Sequence, residues 1–159
     1  MAARMDYAKA SPEGSRAMYA LEMFVKGSGL EHSLLQLVKL RSSQINGCAF
    51  CVDMHWKDAR AEGESEERLY MLSAWHEATV YTDRERAALA LTEAVTLVSQ
   101  THVPDDVYNE AKKHFSDKEL VNLTLGIVAI NGWNRLAITF RSEPGKYQPP
   151  KAKITNSAK

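Results

Sequence analysis

The chain has 159 residues, of which 45% are hydrophobic and 25% charged, and its 20 basic residues balance 20 acidic ones. That is the make-up of one ordinary soluble globular domain, long enough to bury a real core. The charge is uneven: residues 141–159 hold five basic residues (Arg141, Lys146, Lys151, Lys153, Lys159) against Glu143, and 15 basic and 19 acidic residues precede them. A basic tail on an acidic body is not a nucleic-acid footprint, which needs a basic face on the fold itself.

Residues 1–10 read as a loose lead-in without an apolar secretory core. Ser11-Pro12-Glu13 is a helix start, with serine as cap and proline at the first helical position. The amphipathic helix it opens carries Met18, Leu21, Met23, Phe24 and Val25 and ends near Gly27. Residues 31–45 form a second helix, apolar nearly all round and therefore largely buried. Asn46-Gly47 ends it, and a third helix runs from Cys48 to Glu62. Ser65-Glu66-Glu67 opens a fourth, through Leu69, Met71, Leu72 and Trp75.

Thr82-Asp83-Arg84-Glu85 is a capping box that starts a fifth helix along Ala87, Ala88, Leu91, Val95 and Val98. Pro104-Asp105-Asp106 starts a short sixth, reaching Phe115. A second capping box, Ser116 to Glu119, opens a long seventh helix to Phe140. That helix is long enough to span a membrane, but Asn122, Asn131, Asn134 and Arg135 argue against insertion. Its apolar surface predicts a place in the core or at a subunit interface, and so an oligomer. Strand signals are nearly absent. The expectation is an all-α bundle of about seven helices over residues 1–141, with 142–159 an exposed basic tail.

The only two cysteines are Cys48 and Cys51. The loop between them is too short for a disulfide there to restrain the unfolded chain. On a helix turning about 100° per residue, Cys48, Cys51 and His55 fall within about 60° of one another. The face they share is apolar, and a helix N-terminus favours thiolate over thiol. His55 stands one turn beyond Cys51. The spacing therefore assigns Cys51 as the attacking thiolate, Cys48 as the resolving thiol and His55 as general base. The pair would close and reopen a disulfide in each cycle, in a reducing cytoplasm and without a cofactor.

Plainer readings compete. A structural zinc site wants four ligands, and the chain offers one Cys-x-x-Cys pair and His55. His32, His76, His102 and His114 read as surface or cap residues. Trp75 and Trp133 read as core. Asn131, Trp133, Asn134 and Arg135 read as an internal hydrogen-bonding knot. A thioredoxin-like fold would require βαβ units, and none is present.

Residues 34–55, Leu-Leu-Gln-Leu-Val-Lys-Leu-Arg-Ser-Ser-Gln-Ile-Asn-Gly-Cys-Ala-Phe-Cys-Val-Asp-Met-His, resemble the core motif of the alkylhydroperoxidase D family. That family lies within the carboxymuconolactone decarboxylase-like superfamily. Ala129 to Arg135 is similar as well, and the likeness extends from Pro12 to Phe140. The resemblance implies an all-helical homotrimer or homohexamer with thiol peroxidase activity toward a hydroperoxide. It also implies reduction by an external dithiol such as a dihydrolipoyl-bearing protein. Carried over by position, the peroxidatic cysteine is Cys51, the resolving cysteine Cys48 and the relay histidine His55.

Two relay groups are missing. The family's glutamate, twelve residues before the first cysteine, falls on Gln36, which cannot take up a proton near neutral pH. The histidine that some members carry between the cysteines is Phe50. Peroxidase turnover weaker than in the best members is the expectation, with room for another carboxylate to replace the lost one. Two rival readings follow. One is a carboxymuconolactone decarboxylase-like enzyme, which does not need the thiol pair. The other is a redox-sensing or metal-binding oligomer without catalysis.

Overall fold

The computed structural model describes residues 2–150. Among them the regular structure is entirely helical: α1 (Tyr7–Ala10), α2 (Pro12–Lys26), α3 (His32–Ile45), α4 (Ala49–Ala61), α5 (Glu66–Met71), α6 (Asp83–Thr96), α7 (Val98–Thr101), α8 (Asp105–His114) and α9 (Asp117–Phe140). A 3₁₀ turn, Leu72–Ala74, continues α5. None of these helices is long and apolar enough to cross a membrane.

Local chemistry sets most boundaries. Both capping boxes form as the sequence predicts: Thr82 and Glu85 bond reciprocally at the start of α6, and Ser116 and Glu119 at the start of α9. Pro12 occupies the first turn of α2, although the Ser11 side chain makes no capping bond.

Two expectations are corrected. The lead-in is not wholly loose, because the Asp6 carboxylate caps the amides of Ala8 and Lys9 and starts α1. The fifth predicted helix does not reach Val98: it stops at Thr96, α7 is a separate turn, and Val98 is exposed. Part of the segment expected as an exposed tail is also tied to α4: Lys57 donates to the Tyr147 carbonyl at 3.0 Å, Asp53 accepts from the Gly145 amide at 3.0 Å, and the Tyr147 hydroxyl donates to Asp58 at 2.6 Å. The remainder of the predicted tail, 151–159, lies outside the described residues.

α3 is central, with apolar side chains buried on both sides. One cluster joins Leu34, Leu35 and Val38 to Val25 of α2, Ala88 and Leu91 of α6, and Leu123 and Ile127 of α9. On the other side Leu37 and Leu40 pack with Leu69, Leu72, Trp75 and Leu89. Each fully buried leucine contributes about 1.5–3 kcal/mol over an exposed one, so this helix anchors both halves of the core. Gly126 lets α9 approach closely, since a Cβ there would stand 3.3 Å from Val25 Cγ1 and 3.5 Å from Leu35 Cδ2. The long α9 is thus a core helix, with Val121, Val128 and Ile138 left exposed.

Candidate active site

The site is built at the joint between α3 and α4. α3 ends in a Schellman motif: Gly47 adopts φ +67°, its amide donates to Gln44 O at 3.2 Å, and the Cys48 amide donates to Ser43 O at 3.0 Å. A left-handed residue is needed there, and glycine adopts that conformation without penalty. Cys48, whose amide completes this motif, is also the N-cap of α4, which fixes its sulfur at the new helix's N-terminus. Its Sγ accepts from the Cys51 amide at 3.4 Å.

A buried polar network holds this joint in place. Asn46 Nδ2 donates to Asn134 Oδ1 at 2.8 Å and to Asn131 Oδ1 at 3.0 Å. Asn134 Nδ2 donates to Ser43 Oγ at 3.1 Å, and Ser43 Oγ donates to Lys39 O at 2.7 Å. Asn131 Nδ2 reaches Thr96 Oγ1 at 3.1 Å, which ties in α6. The knot expected around Asn131 and Asn134 is present, and it braces the turn that carries the sulfurs.

Cys48 and Cys51 are joined by a disulfide, with Cα atoms 5.3 Å apart. Both are buried, in a small cluster with Ala137 and the partly buried Phe50. Their exposures are alike, 2% for Cys48 and 1% for Cys51, and what distinguishes them is position. Cys51 lines a cavity of about 520 Å³, whereas Cys48 is not among its walls. His55, Gln36, Lys39, Glu22 and Trp133 line the same cavity. The structure thus brings Cys51, His55 and Gln36 to one chamber that Cys48 does not line. His32, His76 and His102 are exposed, as expected. Among the described residues no three His, Cys, Asp or Glu side chains converge on a metal position.

His55 is 6% exposed. Its Nδ1 lies 3.2 Å from Gln36 Oε1, and its Nε2 has no protein partner. Burial, with the Lys39 ammonium nearby, holds the imidazole far below its ordinary 6.5, at about 3. The ring is therefore neutral throughout the physiological range. Lys39 is itself buried and paired with Glu22.

An acid sensitivity follows from this neutrality. The folded His55 refuses a proton that the unfolded chain accepts below pH 6.5, so its stabilising effect is complete above 6.5 and is lost as pH falls toward 3. The expected slope is up to about 1.4 kcal/mol per pH unit in that window. Denaturant unfolding at pH 7, 6, 5 and 4 should show it, and His55→Gln should flatten it. Equal slopes in the two proteins would refute this origin.

Several cavity residues were not recognised in the sequence. Trp133, expected in the core, forms part of the cavity wall, its ring edge-on to Tyr19 at 5.6 Å. Tyr147 and Pro150 of the tail also line the chamber. Tyr147 bonds Asp58, whose carboxyl is pushed up by burial. Glu62 lines the chamber too and accepts from Gln36 Nε2 at 3.1 Å. A chain of 3.6-residue periodicity carries no signal for contacts 26 or 89 residues apart.

Fold and site together define an all-helical dithiol protein: a Cys-x-x-Cys pair at a helix start, facing a cavity beside a buried imidazole. The chain belongs to the carboxymuconolactone decarboxylase family, whose model matches residues 12–94. It is 44% identical to the uncharacterized protein YdfG of Bacillus subtilis, over 87% of this chain and 94% of that one. A crystal structure of a protein of unknown function from Agrobacterium tumefaciens, described as a candidate antioxidant defence protein AhpD, superposes with TM-score 0.89. It is 51% identical and covers 92% of this chain and 100% of its own. An uncharacterized peroxidase-related protein from Ralstonia eutropha with an alkylhydroperoxidase AhpD core shares the fold, with TM-score 0.77 at 20% identity, over 88% of this chain and 75% of that one.

Proposed function

We propose that the protein is a thiol peroxidase that reduces hydroperoxides through the Cys48/Cys51 pair. The carrying observation is that Cys51 lines the same cavity as His55, while Cys48, bonded to it, is not among the cavity walls. Likeness, at 51% identity, to a protein described as a candidate antioxidant defence protein AhpD supports the same reading.

In the reduced protein the Cys51 sulfur attacks the terminal peroxide oxygen. The O–O bond breaks and an alkoxide leaves. The thiol proton passes to that alkoxide by way of His55 Nε2, an acceptor that holds it only in passing, because the ring stays neutral. The partial positive charge at the start of α4 acts on both sulfurs, Cys48 at the cap and Cys51 in the first turn, and favours their thiolate forms. Cys48 then attacks the sulfenic sulfur, hydroxide leaves as water, and the disulfide closes. An external dithiol, such as a dihydrolipoyl-bearing protein, reopens it by exchange. Phe24, Val121 and Val128 expose apolar surface on α2 and α9 that a homotrimer or homohexamer would cover.

The test is a single turnover. Fully reduced protein mixed with an organic hydroperoxide should yield one alcohol and one internal disulfide per chain. Thiols left reduced beside unchanged peroxide would overturn the proposal.

A further inference from the structure

The cavity contains a directed hydrogen-bond chain that the missing relay glutamate does not explain. It runs from Glu62 at the C-terminal end of α4, through Gln36 on α3, to His55. Its direction is decided at one end. A carboxylate can only accept, so Gln36 must present its NH₂ to Glu62 Oε1, at 3.1 Å. Its carbonyl oxygen is then turned to His55 Nδ1, at 3.2 Å. A carbonyl also only accepts, so Nδ1 must carry the hydrogen. The neutral ring has one N–H, which leaves Nε2 with its lone pair. That nitrogen is the buried atom without a protein partner, on a side chain that lines the cavity with Cys51.

We infer that Glu62 is a positioning residue: acting through Gln36, it locks His55 in the Nδ1–H tautomer and keeps Nε2 as the proton acceptor of the cavity. At the position where the resemblance places a glutamate, the chain uses an amide as a spacer and puts the anion one residue further out. The amide transmits direction but no proton. The Lys39 ammonium cooperates, since it opposes a second proton on the ring. The catalytic part of this inference rests on the peroxidase reading; the tautomer part does not. Glu62 itself is exposed, so replacing it leaves the core intact.

The test reads the tautomer directly. Protein carrying ¹⁵N-histidine gives two-bond correlations from ring protons to ring nitrogens, and His55→Gln identifies the His55 signals by their loss. Wild type should show Nδ1 protonated. Glu62→Lys puts a donor where an acceptor stood, so Gln36 turns over and His55 should become Nε2–H. Gln36→Glu added to Glu62→Lys restores an acceptor against Nδ1 and should return the original tautomer. If peroxidase turnover is present, Glu62→Lys should lower kcat by about 10-fold or more, as expected when a catalytic histidine is held in the wrong tautomer, and the double variant should recover it. A wild-type ring protonated on Nε2, or an unchanged tautomer in Glu62→Lys, overturns the inference whatever the activity. Inactive protein with the predicted tautomers would instead count against the peroxidase reading alone.

Discussion

Cys51→Ser is expected to abolish hydroperoxide reduction, and Cys48→Ser to leave one round of it. The asymmetry follows from position at the cavity. Cys51 lines the cavity and Cys48 does not, so the first attack falls to Cys51. A serine hydroxyl at that place is not ionised near neutral pH and is a poor nucleophile toward oxygen. Loss of a sole nucleophile costs turnover about 10³-fold or more. Cys48→Ser removes only the second step. That protein should consume one equivalent of peroxide and then stall as a sulfenic acid, because no neighbouring thiol closes the disulfide. Stopped-flow measurement of peroxide loss at protein concentrations near that of substrate separates the two. A burst of one equivalent from Cys51→Ser, with none from Cys48→Ser, would reverse the assignment.

Asn134→Leu should cost about 2–4 kcal/mol of unfolding free energy. Asn134 is fully buried and has two partners, Asn46 Nδ2 at 2.8 Å and Ser43 Oγ at 3.1 Å. Leucine has nearly the same shape but breaks both bonds. Each buried polar group left without its partner costs about 1–3 kcal/mol. Asn46 keeps Asn131 and Ser43 keeps the Lys39 carbonyl, so the loss falls short of the full sum. Denaturant melts compare the two proteins at equal slope; a change below about 0.5 kcal/mol, the range of ordinary surface substitutions, would contradict a structural role for the knot. The same substitution loosens the Asn46-Gly47-Cys48 turn, so thiol chemistry should slow beyond what global stability explains.

What could be read in advance was what is local. Thr82 with Glu85, and Ser116 with Glu119, fix two helix starts within four residues each, and both form. The relation of Cys51 to His55 is one helical turn, so a shared face was legible. Cys48 lies just outside that helix, as its cap, and reaches Cys51 through the turn geometry of Gly47. The Asp6 cap was overlooked because a four-residue helix is too short to show periodicity. Tyr147 was hidden in an aperiodic tail that α4 nevertheless holds through Lys57, Asp53 and Asp58. Trp133 was read as core because an aromatic on an apolar helix ordinarily is; its role as a wall depends on where α2 places Tyr19. Glu62 follows a helix end with nothing nearby to link it to Gln36, and only the packing of α3 against α4 joins them.

The central claim, that Cys51 is the sulfur that meets peroxide, is tested most directly by trapping. Reduced Cys48→Ser protein is given one equivalent of hydroperoxide and then a cyclic diketone that captures sulfenic acid, and the peptides are sequenced by mass spectrometry. The account predicts one adduct per chain, on Cys51. An unmodified Cys51 in that protein, together with an adduct on Cys48 when Cys51→Ser is treated in the same way, would contradict it.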